Sequence, residues 1–305
     1  MRRARPGVLL APCAARRITK TPETGGGLLR FLAPITVLAA LLHADPALAR
    51  QSRWATVRDD GEHFFDDVVH VWTSPFRADA AAFGRLAAVV GGVVLVGIFD
   101  DEIQDYLRDH PKSVAVHALR PFQKSTPISK LGYTKWLMVL STGLYATGLA
   151  FDWDGIREAG IGCATADISN TLARHGLSRL IGRLRPEYTR DPYVIKPFAF
   201  GGWEMRSFPG GHAANTAACT AFLTDRFDLG IAKPLMIILA AGIGFGRVLD
   251  QAHWTTDTLF GIAFGWTVGS IVADQFERRD ERDDAGAGVS RSIMPPIRIG
   301  WTVSF

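Results

Sequence analysis

The sequence predicts an all-α protein, a helical bundle followed by a short extended tail at its C-terminus. Three observations predict it. Apolar runs of helical length recur from Ala78 to Ala273. Alternation of apolar and polar residues, the mark of a half-buried strand, is absent until Ile297. The runs are rich in Gly and Ala, which suits helices packed closely against one another in water or in lipid.

The elements follow in order. Residues 1–49 read as an export leader: a basic stretch ends at Arg30, the apolar run Phe31–Leu42 follows, and Ala47-Leu-Ala49 has the small-x-small form of a cleavage site. The alternative is an uncleaved N-terminal anchor. The leader also explains the overall basicity. It holds Arg2, Arg3, Arg5, Arg16, Arg17, Lys20 and Arg30 against Glu23 and Asp45, so beyond it 27 of the 34 Lys and Arg face 28 of the 30 acids. No nucleic-acid partner is expected from that balance.

The body spans 50–276. Gln51–Asp60 reads as loop, and Glu62–Trp72 as a short amphipathic helix whose neighbouring acids, Asp59, Asp60, Glu62, Asp66 and Asp67, form a solvated face. Ala78–Phe99 is a long apolar helix closed by Asp100-Asp101-Glu102. Ile103–Lys135 is polar and punctuated by Pro111, Pro121 and Pro127. Helices are then expected at Trp136–Phe151, Ile156–Leu184, His212–Leu223, Leu235–Gly246 and Thr258–Ala273. The charge-free runs fall short of the ~18–20 residues of a confident membrane span, so both a buried and an embedded bundle fit. Residues 277–305 read as a charged and Gly-rich linker ending in the alternating, β-like Ile297–Phe305. Cys163 and Cys219 sit in apolar helical patterns and are expected as buried free thiols; in an oxidising compartment they can pair.

The chemistry concentrates in a core at 177–261. Pro209-Gly210-Gly211-His212 places a glycine turn before a helix, where free backbone N–H groups bind anions, and an imidazole there can protonate a leaving oxygen. His253 and Asp257 are one helical turn apart, so the carboxylate can orient the ring and make it nucleophilic. Arg247 precedes His253 by six positions, about 240° round an ideal helix, so both can face one anion only if the helix breaks within Val248–Ala252. Arg185 offers multidentate oxyanion contact, and Pro186 is expected to end its helix. His212, His253 and Asp257 lack the spacing of a zinc site and stand among arginines, so no metal is expected.

Ser178–Pro186 (SRLIGRLRP), Pro209–His212 (PGGH) and Gly246–Asp257 (GRVLDQAHWTTD) resemble, in order, the motifs KxxxxxxRP, PSGH and SRxxxxxHxxxD of the type 2 phosphatidic acid phosphatase / vanadium haloperoxidase superfamily. The resemblance implies that family's helical fold and a set of roles. His253 attacks phosphorus with Asp257 orienting it, and His212 protonates the leaving alcohol and then activates water. Arg185, Arg247 and the Gly210 and Gly211 amides hold the phosphoryl oxygens. Three departures stand out: Ser178 for the motif lysine, Gly210 for the motif serine and Gly246 for the serine before the arginine. Arg174, one turn before Ser178, is placed to restore part of the lost charge.

The implied function is an exported, metal-independent phosphatase, periplasmic or associated with the inner membrane. It would act on a phosphomonoester, lipid phosphate or lipid pyrophosphate through a phosphohistidine, with no cofactor. The partners are a phosphorylated small molecule or lipid and the membrane. The alternatives are a vanadate-dependent haloperoxidase, with vanadate as its cofactor, and a non-catalytic phosphate-binding or membrane protein.

Overall fold

A computed structural model describes residues 46–198, 200 and 202–286. Most of the leader and the alternating tail lie outside them. By contacts the chain divides into Met1–Trp54 and Ala55–Phe305, and the bundle and the site belong to the second. The α-helices are α1 Pro46–Thr73, α2 Ala80–Gly97, α3 Asp100–Asp109, α4 Val114–Leu119, α5 Thr134–Phe151, α6 Asp154–Ile181, α7 Gly211–Arg226, α8 Ala232–Leu249 and α9 Thr255–Gly286. No strand occurs among the described residues; an isolated bridge joins Arg183 and Ile195. The all-α expectation holds.

Several boundaries differ from the sequence expectation, each for a local reason. The stretch expected as loop at Gln51–Asp60 is helix, continuous with α1. Two of the acids expected on a solvated face, Asp60 and Asp67, are instead held in ion pairs. Asp60 accepts from Arg157 at 2.5 Å and from Tyr145 at 2.9 Å, and buried Asp67 accepts from Arg279 at 2.6 Å. The acids after α2 end that helix by opening another: Asp100, Asp101 and Glu102 form the first turn of α3, where negative charge complements the helix dipole. Helix α6 stops at Ile181 because Gly182 takes φ 62°, the left-handed C-cap that glycine adopts without a Cβ penalty. Arg185 is therefore held by a loop and not delivered by a helix end at Pro186. The charged run Glu277–Asp284, expected as linker, continues α9, tied to its neighbours by Arg279–Asp67 and Arg226–Asp280 ion pairs.

The centre of the bundle is α7, buried along nearly its whole length. Its Gly, Ala and Thr residues let α6 and α9 come close. A Cβ on Gly265 or Gly269 of α9 would collide with the carbonyls of Ala214 or Ala218, and one on Gly162 of α6 would collide with the Phe222 ring. Val71, Ala166, Phe222, Val268 and Val272 fill the core around this contact. The same approach brings Cys163 and Cys219 to a Cα–Cα distance of 4.6 Å, and they form a disulfide, within the span such a bond requires. The expectation of free thiols is overturned.

Among the described residues, three helices are long and apolar enough to cross a membrane: Ala80–Gly97, Ala232–Leu249 and the Thr255–Ala285 stretch of α9. The charge-free runs looked too short because each helix extends past its run into residues that flank it. No residue of α2 is buried, and Leu86, Val90, Val94 and Leu95 are all exposed. An exposed helix that is apolar along most of its length fits an apolar surrounding such as a membrane.

Candidate active site

The loop between α6 and α7 carries Arg185 in a fixed place. Its N–H donates to the Glu204 carbonyl at 3.0 Å, while Leu184 N–H donates to Val194 O at 2.9 Å and Ser207 N–H to Arg183 O at 3.1 Å. The buried Arg185 guanidinium lies 3.8 Å from the centre of the Trp203 ring and donates through Nη2 to Arg206 O at 3.2 Å. Burial pushes its pKa down to about 10, which leaves it charged at neutral pH.

The break expected between Arg247 and His253 is present. Helix α8 ends at Leu249, Gln251 takes φ 58°, and Ala252 N–H bonds back to Arg247 O at 3.0 Å. Helix α9 begins at Thr255, two residues after His253, and both Arg247 and His253 are buried. Arg247 donates to Asp250 at 2.6 Å. Asp250 also receives the Lys124 N–H and the Gln123 amide, so it anchors the 120–124 turn beside the site.

His212 sits in the first turn of α7 against the edge of the Tyr133 ring, 4.2 Å between centres, with the Gly132 backbone pressed on its other side. Burial, then Arg247, Arg174 and Arg185 in turn, push its pKa down to about 3. His253 is lowered by burial first and then by Arg185 and Arg247. The same arginines thus act on both rings. The Nε atoms of Arg174, Arg185 and Arg247 and the Nε2 of His212 are all buried without a hydrogen-bond partner. Four unsatisfied buried nitrogens in one neighbourhood are able to serve oxyanion acceptors.

Asp257 does not orient His253 directly. The Nδ1 of His253 lies 2.5 Å from the Ser207 carbonyl. A carbonyl only accepts, so Nδ1 carries the proton and Nε2 keeps its lone pair. Asp257 instead accepts from Arg183 at 2.7 Å, from the Ser207 hydroxyl at 2.5 Å and from Trp254 N–H at 2.9 Å. The last bond caps α9 from its third residue, as in a capping box. Asp257 reaches the histidine through Ser207, whose hydroxyl and carbonyl face the two groups. Behind it, Arg183 also donates to Asp100 at 2.9 Å and to Thr256 at 2.8 Å, and Asp100 accepts the Thr256 N–H at 3.0 Å.

Of the two glycines, only Gly211 is free to face an anion. The Gly210 N–H is donated to the Asp257 carbonyl at 2.8 Å, so the expected oxyanion contact from that amide is absent. A Cβ on Gly210 would stand 2.9 Å from that carbonyl oxygen, and one on Gly246 would collide with the Phe122 backbone. Both glycine departures are therefore places where two backbones touch. Ser178 is buried and donates to His175 O at 3.3 Å, so it does not replace the lysine. Arg174 does reach the site: its Nη1 lies 3.0 Å from where a Gly211 Cβ would stand.

Sequence reasoning missed Asp100, Arg183 as a partner of Asp257, and the bridging place of Ser207. No spacing signal marks Asp100, 83 residues from Arg183. Ser207 was within sight, two residues before Pro209.

Residues 160–281 match the family model of the PAP2 superfamily, so the resemblance carried by the three motifs holds over the stretch that contains them. A lipid A 1-phosphatase of Rhizobium etli is 30% identical over 119 residues, 37% of this chain and 49% of that protein. A decaprenylphosphoryl-5-phosphoribose phosphatase of Mycobacterium tuberculosis is 29% identical over 96 residues, 32% and 49%. The chain thus spans about half the length of the curated relatives it matches. A solved transmembrane PAP2-type phosphatidylglycerolphosphate phosphatase from Bacillus subtilis is 19% identical, with a TM-score of 0.40 over 72% of this chain and 96% of that one.

Proposed function

We propose that the chain is an exported, membrane-associated phosphatase that hydrolyses the phosphomonoester or pyrophosphate of a lipid-borne substrate. The observation that carries this reading is the pair of buried arginines, Arg185 and Arg247, that act on both His212 and His253, with the partly buried Arg174 joining them at His212. Their fixed positive charge neutralises a phosphoryl group without a metal.

In this mechanism His253 Nε2 attacks phosphorus, a N–P bond forms and the P–O bond to the leaving alcohol breaks. His212 gives that oxygen its proton. Water then attacks phosphorus, His212 takes the water's proton, the N–P bond breaks and inorganic phosphate leaves. His212 is neutral in the empty site, because burial and three arginines hold it near 3. The negative charge of the substrate offsets those arginines and raises the ring's pKa when a proton is needed. Arg185, Arg247, Arg174 and the Gly211 amide hold the oxygens.

A lipid substrate is supported by the three apolar helices and by two relatives named for lipid-borne phosphates. Export is supported by the Cys163–Cys219 disulfide, since such bonds persist in oxidising compartments. The test is phosphate release by the full chain in detergent micelles from a lipid monophosphate and from a soluble aryl phosphate. Activity on the lipid, reduced roughly 10²–10⁴-fold in His212→Ala and lost in His253→Ala, is expected. Release of phosphate from neither substrate overturns the reading.

A further inference from the structure

One buried ionisable group near the site has no part in that mechanism. Asp167 is fully buried in α6, and neither carboxylate oxygen has a hydrogen-bond partner. It lies seven residues before Arg174, two helical turns and roughly 10 Å along the same face. That face meets α7, because Asn170 and Thr171, between the two, bond to Asn215 at 2.7 and 3.5 Å. Arg174 is partly buried, with a buried and unpartnered Nε, a 3.3 Å contact to His175 Nε2 and its guanidinium against Gly211. The groups joined to this face from α5 and α7, Thr134 and Asn215, are neutral. Among the described residues, Arg174 is the charged group that acts on Asp167. Arg174 in turn acts on Asp167, His175 and His212.

We propose that Asp167 is a proton-controlled counter-charge to Arg174 and so sets the affinity of the site for tetrahedral oxyanions. When Asp167 is ionised it cancels part of the Arg174 charge, and an incoming dianion is held less tightly. When it is protonated, Arg174 presents its full charge to the oxyanion. Burial pushes the carboxyl up to about 7, so the switch falls near neutral pH. The pair takes the place of the motif lysine, whose position is filled by Ser178, and adds a pH response that a lone lysine lacks. Asp167 is a positioning residue, acting through Arg174. The inference rests on Arg174 belonging to the oxyanion cradle and does not require turnover.

The test is direct binding of tungstate, a tetrahedral dianion that keeps its charge across this range, to the full chain in micelles by calorimetry as a function of pH. Below the transition, wild type and Asp167→Asn should bind alike. Above it, Asp167→Asn should bind roughly ten-fold tighter, the size expected for removing one charge at this distance in a partly screened interior. Titration of His212 is common to both proteins and cancels in the ratio. In an Arg174→Gln background the Asp167→Asn change should make no difference. Ratios of one at every pH, or weaker binding by Asp167→Asn throughout, overturn the proposal. If Asp167→Asn does not fold, Arg174→Gln alone decides: its tungstate affinity should lose the pH step that wild type shows near 7, and an unchanged step overturns the proposal. Absence of phosphatase activity, with the tungstate step intact, would sink the proposed function and leave this inference standing.

Discussion

At the scale of single residues, the proposed mechanism requires His212 to change its chemistry with what the site holds. Empty, it is pushed down to about 3 by burial and by Arg247, Arg174 and Arg185. A bound dianion reverses the arginine contribution, so the ring takes up a proton wherever the pH lies between its free and bound values. Calorimetry of tungstate binding in two buffers of different ionisation enthalpy should therefore find proton uptake that shrinks in His212→Gln. Equal uptake by the two proteins would contradict this role. Gly210 carries a second prediction. Restoring the motif serine there places a Cβ 2.9 Å from the Asp257 carbonyl, and such overpacking costs about 1–3 kcal/mol. Gly210→Ser should lower Tm without raising kcat, and a more active, equally stable variant would show that the helices yield. The types and order of His212, Arg247 and His253 were legible in the sequence because they sit at fixed spacings near a glycine turn and a predicted helix break. The partner of His253 was not, because a backbone carbonyl leaves no trace in residue identity.

Among the elements, the start of α9 is the joint on which the site turns. Asp257 caps it from within through Trp254 N–H, and Asp100, at the start of α3, accepts both the N–H and the hydroxyl of Thr256. Arg183 lies between the two carboxylates. If Asp100 loses its charge, Arg183 keeps Asp257 as its counter-charge. Loss of the Asp100 carboxylate still takes the acceptor from Arg183 Nη2 and from the Thr256 hydroxyl, and a buried hydrogen bond to a charged group is worth about 1.5–3 kcal/mol. Asp100→Asn should thus lose stability of that order in chemical denaturation, although Asp100 belongs to none of the three motifs. A loss under 1 kcal/mol would mean that the triad contributes little to the joint. The helices themselves were readable from apolar runs. Their ends were not always, because α6 stops on a glycine that adopts φ 62° and α9 runs through a charged stretch stabilised by ion pairs to distant helices.

For the whole molecule, the disulfide and the apolar helices describe one setting. Cys163–Cys219 closes a loop of sequence separation 56 between the two helices that carry Arg174 and His212. Chain-entropy reasoning gives about 4 kcal/mol for a loop of that length, so Cys163→Ser/Cys219→Ser should unfold at markedly lower denaturant, and an unchanged midpoint would show that the bond does not form. The close approach of α6 and α7 that brings the cysteines together depends on Gly162 and the alanines of α7 meeting in space, which no single run of sequence displays. In the proposed mechanism His253 carries the phosphoryl group. A soluble aryl phosphate, whose leaving group needs no proton, should phosphorylate His212→Ala without being released by it. Quenching that reaction in alkali, in which a phosphohistidine survives, and mapping the labelled peptide is the most direct measurement. The mechanism predicts phosphate on His253, absent from His212→Ala/His253→Ala. Turnover that persists in His253→Ala, or label on any other residue, would contradict it.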